Sequence, residues 1–195
     1  MDEALTSFEK KLGVRPIFGG YHSTFGTKNA LINLGNNIYL ELLAADDHNT
    51  SVPPPRWMGV DLLTKNQITR FAIRSNTLKK DSEVLKKFNR EMGNIGSGSR
   101  NTAEGAILQW QLIMPLPTPE IELVPFVLDW SKTEKHPSEL LPNMGCQFVE
   151  IYGTHPNPNE FTDVLKSLDY NLTIKKADQT SLRLILNSPH GIIEI

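Results

Sequence analysis

The chain has 195 residues, enough to bury a sizeable core, and suits one domain or small modules sharing a sheet. Its 20 basic and 22 acidic side chains leave a formal net charge of -2, and no cationic run is dense enough to follow a phosphate backbone, so nucleic acid is not an expected partner. A single cysteine, Cys146, excludes an intrachain disulfide framework and any multi-cysteine metal site, and it reads as a buried structural thiol in a reducing cytoplasm. No apolar run reaches membrane-spanning length, and the opening MDEALTSFEKKLG lacks the cationic-then-apolar order of a secretion signal. A soluble cytoplasmic protein is expected.

Leu5, Phe8 and Leu12 recur at helical spacing and Gly13 stops the pattern before Pro16, so a short helix is predicted first. A glycine-rich turn carrying His22 follows. Residues 30–34 and 38–43 are apolar runs separated by Gly-Asn-Asn, which predicts a hairpin. The stretch AADDHNTSVPPPRWMG, residues 44–59, reads as a surface crossing placed to flank a pocket. A strand is predicted over residues 68–74. A helix over residues 81–93 follows, with Val84, Leu85, Phe88 and Met92 on one face and Gly93 as its stop. The loop GSGSRNTAEG precedes strands over residues 106–114 and 123–130. The last third predicts a strand over residues 147–152, a helix over 159–170, and strands over 172–175, 181–187 and 191–195. Three units with a similar order of elements emerge, over about residues 1–50, 66–132 and 145–195, within a single domain spanning 1–195.

Period-two alternation puts Tyr39 and Glu41 on one face of their strand and Leu40 and Leu42 on the other. Glu41 is expected to be buried. A buried carboxylate needs a cation, a metal or hydrogen-bond donors, so its role is either functional or a salt bridge to an arginine such as Arg70. His22, beside the glycine pair, either projects into a cleft or hydrogen-bonds the following loop. His48, His136, His155 and His190, in polar loops or beside proline, are poorer candidates. Gln111 and Asp129 interrupt apolar strands and are candidates to meet Glu41 in one cavity, with Tyr39 or Trp110 as a wall; Asp129 alternatively caps a turn. Arg70 and Arg100 offer planar forks for a carboxylate or phosphate, the latter alternatively being a solvated loop residue. The run GSGSR precedes a strand and no Gly-Lys-Ser/Thr is present, which excludes a nucleotide-binding loop; no Gly-x-Ser-x-Gly elbow is present either.

Several short motifs stand in a fixed order: Gly-Gly-x-His at 19–22, Gly-Thr-x-Asn-Ala-Leu at 26–31, Tyr-Leu-Glu-Leu at 39–42, Ile-Leu-Gln-Trp-Gln-Leu at 107–112 and Pro-Phe-Val-Leu-Asp-Trp at 125–130. Together they resemble the glyoxalase-like branch of the vicinal oxygen chelate superfamily, which also holds bleomycin-resistance proteins and dihydroxybiphenyl dioxygenases. The resemblance implies an α+β fold of βαβββ modules whose mixed sheets curl around a cleft. Relatives begin with a strand, often bearing Asp-His; here the chain opens on the helix, so the first module is expected to lack that strand. The resemblance also implies that Glu41 and His22 hold a divalent metal and act in lyase or dioxygenase chemistry on a small oxygen-bearing substrate. Against the metal, the strand over residues 68–74 shows Thr69 and Arg70 where metal-using relatives show histidine. Two alternatives follow. One is a metal-free module binding a small anionic or amphipathic molecule through Tyr39, Arg70, Arg100, Trp110, Gln111 and Asp129. The other is a non-catalytic homodimer formed along the exposed sheet edge.

Overall fold

In the computed structural model, which describes residues 1–101 and 107–195, eleven strands form three sheets. Helix α1 (Asp2–Leu12) precedes β1 (Ile17–His22), β2 (Thr27–Asn33) and β3 (Tyr39–Ala45), an antiparallel sheet in the order β1-β2-β3. Asp2 and Glu3 lie in the first turn of α1 and Lys10 and Lys11 in the last, matching the helix dipole at both ends. Gly13 closes the helix in the left-handed region, φ 76°, with its N–H on the Glu9 carbonyl.

The Gly19-Gly20 pair, expected as a turn, lies inside β1. The register slips between Phe18 and Gly20, leaving Gly19 as the extra residue of a bulge. A Cβ on Gly19 would stand 2.4 Å from Asn29 Oδ1 and 2.8 Å from Leu31, so only glycine lets β1 lie this close to β2.

The second unit comprises β4 (Ala72–Arg74), α2 (Leu78–Phe88), β5 (Ile95–Asn101), β6 (Ile107–Ile113) and β7 (Phe126–Asp129). Its sheet runs β4-β7-β6-β5, with β4 parallel to β7. Helix α2 starts and stops earlier than its periodicity predicts. Ser75 and Thr77 donate their hydroxyls to Asp81, at 2.6 and 3.2 Å, so Asp81 lies inside the first turn rather than before it. Residues 95–101, expected as part of a loop, are a full strand paired with β6. The remainder of that expected loop and the predicted strand start at Ala106 lie outside the described residues.

The third unit comprises β8 (Gln147–His155), α3 (Thr162–Ser167), β9 (Thr173–Lys176), β10 (Ser181–Ser188) and β11 (Gly191–Glu194). The element order repeats that of the second unit but the strand order does not. Here β8 sits between β9 and β10, giving β11-β10-β8-β9, because β8 and β9 form a parallel crossover through α3.

Two apolar cores hold the sheets together. Leu85, Ile113, Val127, Leu165 and Leu182 pack α2 and α3 against the second and third sheets. Leu12, Ile32, Cys146, Leu184 and Leu186 join α1 and the first sheet to the third. Strand β10 shows the alternation plainly, with Leu182, Leu184 and Leu186 inward and Arg183 and Asn187 outward. Cys146 is 1 % exposed and its thiol is pushed up by burial.

The same alternation divides β6 and β7. Ile113 and Val127 face the helices, whereas Leu108, Trp110, Leu112 and Leu128 join Trp130 in a third cluster on the other face. Gly98 pairs with Trp110 across β5 and β6, and a Cβ there would fall 2.4–2.6 Å from the indole. The rigid ring has no end that can swing away, so Gly98→Ala should displace Trp110 and destabilise the fold by about 1–3 kcal/mol. Denaturant unfolding monitored by tryptophan emission measures both effects; an unchanged midpoint and native spectrum would refute this account of Gly98.

Candidate functional site

The first and second sheets abut along β1 and β5. Arg100 on β5 donates an Nη1–H hydrogen bond to the Gly19 carbonyl of β1. Behind this join lies a cleft of small free volume, about 30 Å³, opening to solvent. The first sheet contributes His22, Asn29, Leu31, Tyr39 and Glu41, and the second contributes Arg100, Trp110, Phe126, Leu128 and Trp130 at the end of β7. Trp57, from the 3-10 turn Trp57–Leu62, and Pro137 complete the lining. All three tryptophans of the chain therefore meet at one place.

The walls are aromatic contacts. Trp57 stacks on Phe25 with ring centres 4.6 Å apart and presents an edge to His22 at 5.5 Å. His22 also meets Trp110 at 5.9 Å, and Trp110 meets Trp130 at 5.0 Å. His136 bridges the rim, 5.8 Å from Trp130 and 5.7 Å from Tyr39.

His22 is 3 % exposed, with Nδ1 3.1 Å from the buried Thr27 hydroxyl. Burial holds its pKa below the usual histidine value; Glu41 opposes that shift and Arg100 reinforces it, so the ring is neutral at pH 7. Burial, with Glu41 adding to it, pushes the Tyr39 phenol far up, so it stays protonated. Arg100 is 9 % exposed, and among the described residues no carboxylate lies within ion-pair distance of it. Its pKa is lowered by burial and sustained by the field of Glu41. Two further polar atoms of lining residues, the Trp57 indole N–H and Asn29 Oδ1, are buried without hydrogen-bond partners among the described residues.

Several expectations are corrected by this geometry. Glu41 lines the cleft but is exposed, because β3 is the outer strand of a three-stranded sheet and water reaches its carboxylate. Asn29 Nδ2 donates to Glu41 Oε1 at 2.7 Å. Arg70 does not meet Glu41. It is an internal clamp, donating to the carbonyls of Leu116 at 2.9 Å and Thr118 at 2.6 Å and pairing with Glu122 at 2.9 Å. Gln111 and Asp129 face each other in register but lie on the face of Ile113 and Val127, opposite Trp110 and Leu128, so neither lines the cleft. Asp129 instead accepts from the Ser131 N–H at 2.8 Å, capping the turn after β7. Arg100 is a buried strand residue rather than a solvated loop arginine. Sequence reasoning missed Trp57, Trp130 and Asn29, and it ranked the rim histidine His136 among the poorer candidates. The scarcity of tryptophan was the available signal, since large amphipathic rings collect at binding clefts.

The metal implied by the resemblance was tested against the donor set. Among the described residues no group of three or more His, Cys, Asp or Glu side chains converges. Of the described lining residues His22 and Glu41 alone are metal donors of these types, with a guanidinium in the same hollow that repels a cation. These residues do not fit a divalent metal centre.

Burial pushes Glu122 up to about 7, against the opposing effect of Arg70. A carboxyl whose folded pKa is raised stabilises the fold fully below its unfolded value of 4.5, and that contribution is lost as pH rises through about 7. Glu122→Gln should therefore flatten the decline in Tm between about pH 5 and about pH 8, by roughly 5 °C over that span. Thermal scans of both proteins across that range test it, and parallel profiles would overturn the assignment.

The sequence model of the glyoxalase-like domain matches residues 1–168. No curated protein matches the chain. Among solved structures, a hypothetical protein from Staphylococcus aureus is similar at TM-score 0.57 and 16 % identity, the match covering 93 % of this chain and 77 % of that one. That likeness bears on fold alone. On the extent of the sequence match, the chain belongs to the glyoxalase-like domain family, within the vicinal oxygen chelate superfamily.

Proposed function

We propose that the protein binds a small molecule in the cleft between its first and second sheets, with no metal taking part. The observation that supports this reading is the convergence of all three tryptophans with a neutral histidine, a buried arginine and an unpartnered indole N–H around one open hollow. Buried polar groups left without partners cost stability unless a guest or water completes them. A fold serving only as a scaffold would gain by filling such a place with apolar side chains.

What the cleft can do chemically follows from its groups. The indoles and Phe126 offer flat apolar surface, Arg100 and Trp57 offer donors, and Glu41 at the mouth offers an acceptor. The reaction, if the guest is transformed, would use the neutral His22 imidazole, oriented by Thr27, as its proton acceptor. Lyase or dioxygenase chemistry through a metal held by Glu41 and His22 is not favoured, because two donors beside a guanidinium make a poor cation site.

Because the three indoles line the site, their emission reports occupancy without a label. A small-molecule screen read by tryptophan emission in the presence of a chelator should yield saturable changes, and a hit should lose at least about ten-fold in affinity in His22→Ala or Trp110→Ala. If no compound alters the emission, or every response vanishes with the chelator, the metal-free reading is wrong.

A second reading rests on the edge of β3. In the second sheet the corresponding strand β7 carries β4 on its outer side, whereas β3 has only β2 as a neighbour among the described residues. Pairing of two copies along this edge would satisfy its open backbone groups. Sedimentation should then show a dimer that Leu43→Pro, at a position whose N–H faces the open edge, dissociates; a monomer at all concentrations removes this reading.

A further inference from the structure

Resting on the binding cleft proposed above, we infer that its guest is a compact monocarboxylate with a flat apolar body and a hydrogen-bond donor, not a second anion, at its outer end. Three observations carry this. The first is charge at depth. Arg100 is nine-tenths buried in the cleft wall and meets one backbone carbonyl and no carboxylate among the described residues. Such a guanidinium, without an ion-pair partner among the described residues, presents a planar fork that matches a carboxylate.

The second is charge at the mouth. Glu41 lines the same cleft yet remains exposed, held by Asn29 Nδ2 at 2.7 Å. Its charge sustains that of Arg100 across the cleft without forming an ion pair with it, and water screens the attraction at the mouth. A second carboxylate there meets like charge, whereas a hydroxyl or ammonium finds an acceptor. The aromatic walls alone would also suit an organic cation, but the buried guanidinium opposes one in the deep part of the cleft.

The third is size. The free volume of about 30 Å³ is room for a few waters or one small head group, since a single water needs about 10–15 Å³ of such space. The head group therefore enters, and the flat body lies in the open mouth against the half-buried Trp57.

Five related probes test this by titration of tryptophan emission: benzoate, benzamide, 4-hydroxybenzoate, terephthalate and benzyltrimethylammonium. Benzoate should bind saturably and benzamide, of the same shape but uncharged, at least about ten-fold more weakly. We expect 4-hydroxybenzoate to bind tighter than benzoate and terephthalate weaker, with Glu41→Gln narrowing the gap between those two. Arg100→Lys should weaken benzoate at least about five-fold, and the comparison of benzoate with benzamide on the unaltered protein decides the matter should that variant misfold. Equal binding of benzoate and benzamide, or preference for the ammonium probe, overturns the carboxylate inference and leaves the cleft reading standing. Failure of all five to perturb the emission overturns both.

Discussion

The site depends on the seam at which β1 and β5 bring two sheets edge to edge. Arg100 crosses that seam to the Gly19 carbonyl, so the residue that charges the cleft also ties its two walls together. On either side of the seam a glycine removes a side chain where none would fit: Gly19 against Asn29 within the first sheet, and Gly98 under Trp110 within the second. Glycine in a strand interior costs conformational entropy, and here that cost secures a close fit of backbone and indole at the wall of the hollow.

From that seam the electrostatics of the cleft follow. One buried cation, one exposed anion and one neutral imidazole share a small space with little water. Desolvation governs His22 and Arg100, and the charge of Glu41 acts on both from the mouth. The opposite arrangement, a deep carboxylate and two or three imidazoles, would suit a metal; the described residues do not supply it. Function is read from the site rather than from the fold.

Elsewhere the molecule uses charge for architecture. The Arg70–Glu122 pair, with the carbonyls of Leu116 and Thr118, fixes the segment leading into β7, and hence the position of Phe126 and Leu128 in the cleft wall. The two arginines therefore look alike in sequence but do different work. Arg70 uses its guanidinium on three backbone carbonyls and one carboxylate, whereas Arg100 makes one hydrogen bond among the described residues.

Much of the fold was legible in the chain, because hydrophobic period and glycine punctuation are local properties. Leu5 and Leu12 with Gly13 marked the first helix, Gly-Asn-Asn marked the hairpin, and the strand predicted over residues 181–187 is β10. The motif order pointed to the family, and His22 and Trp110 were recognisable as cleft residues. The tertiary structure alone decided which face of each strand looks where. Gln111 and Trp110 were both expected at one cavity, and packing assigned the face of Gln111, Ile113 and Val127 to the helix side and that of Trp110 to the cleft. It alone decided that Glu41 meets water, since exposure depends on whether β3 has a neighbour, and that Arg70 is clamped by carbonyls some fifty residues away. Those outcomes rest on contacts between distant segments, and no residue carries in its own neighbourhood a record of what the chain will bring against it.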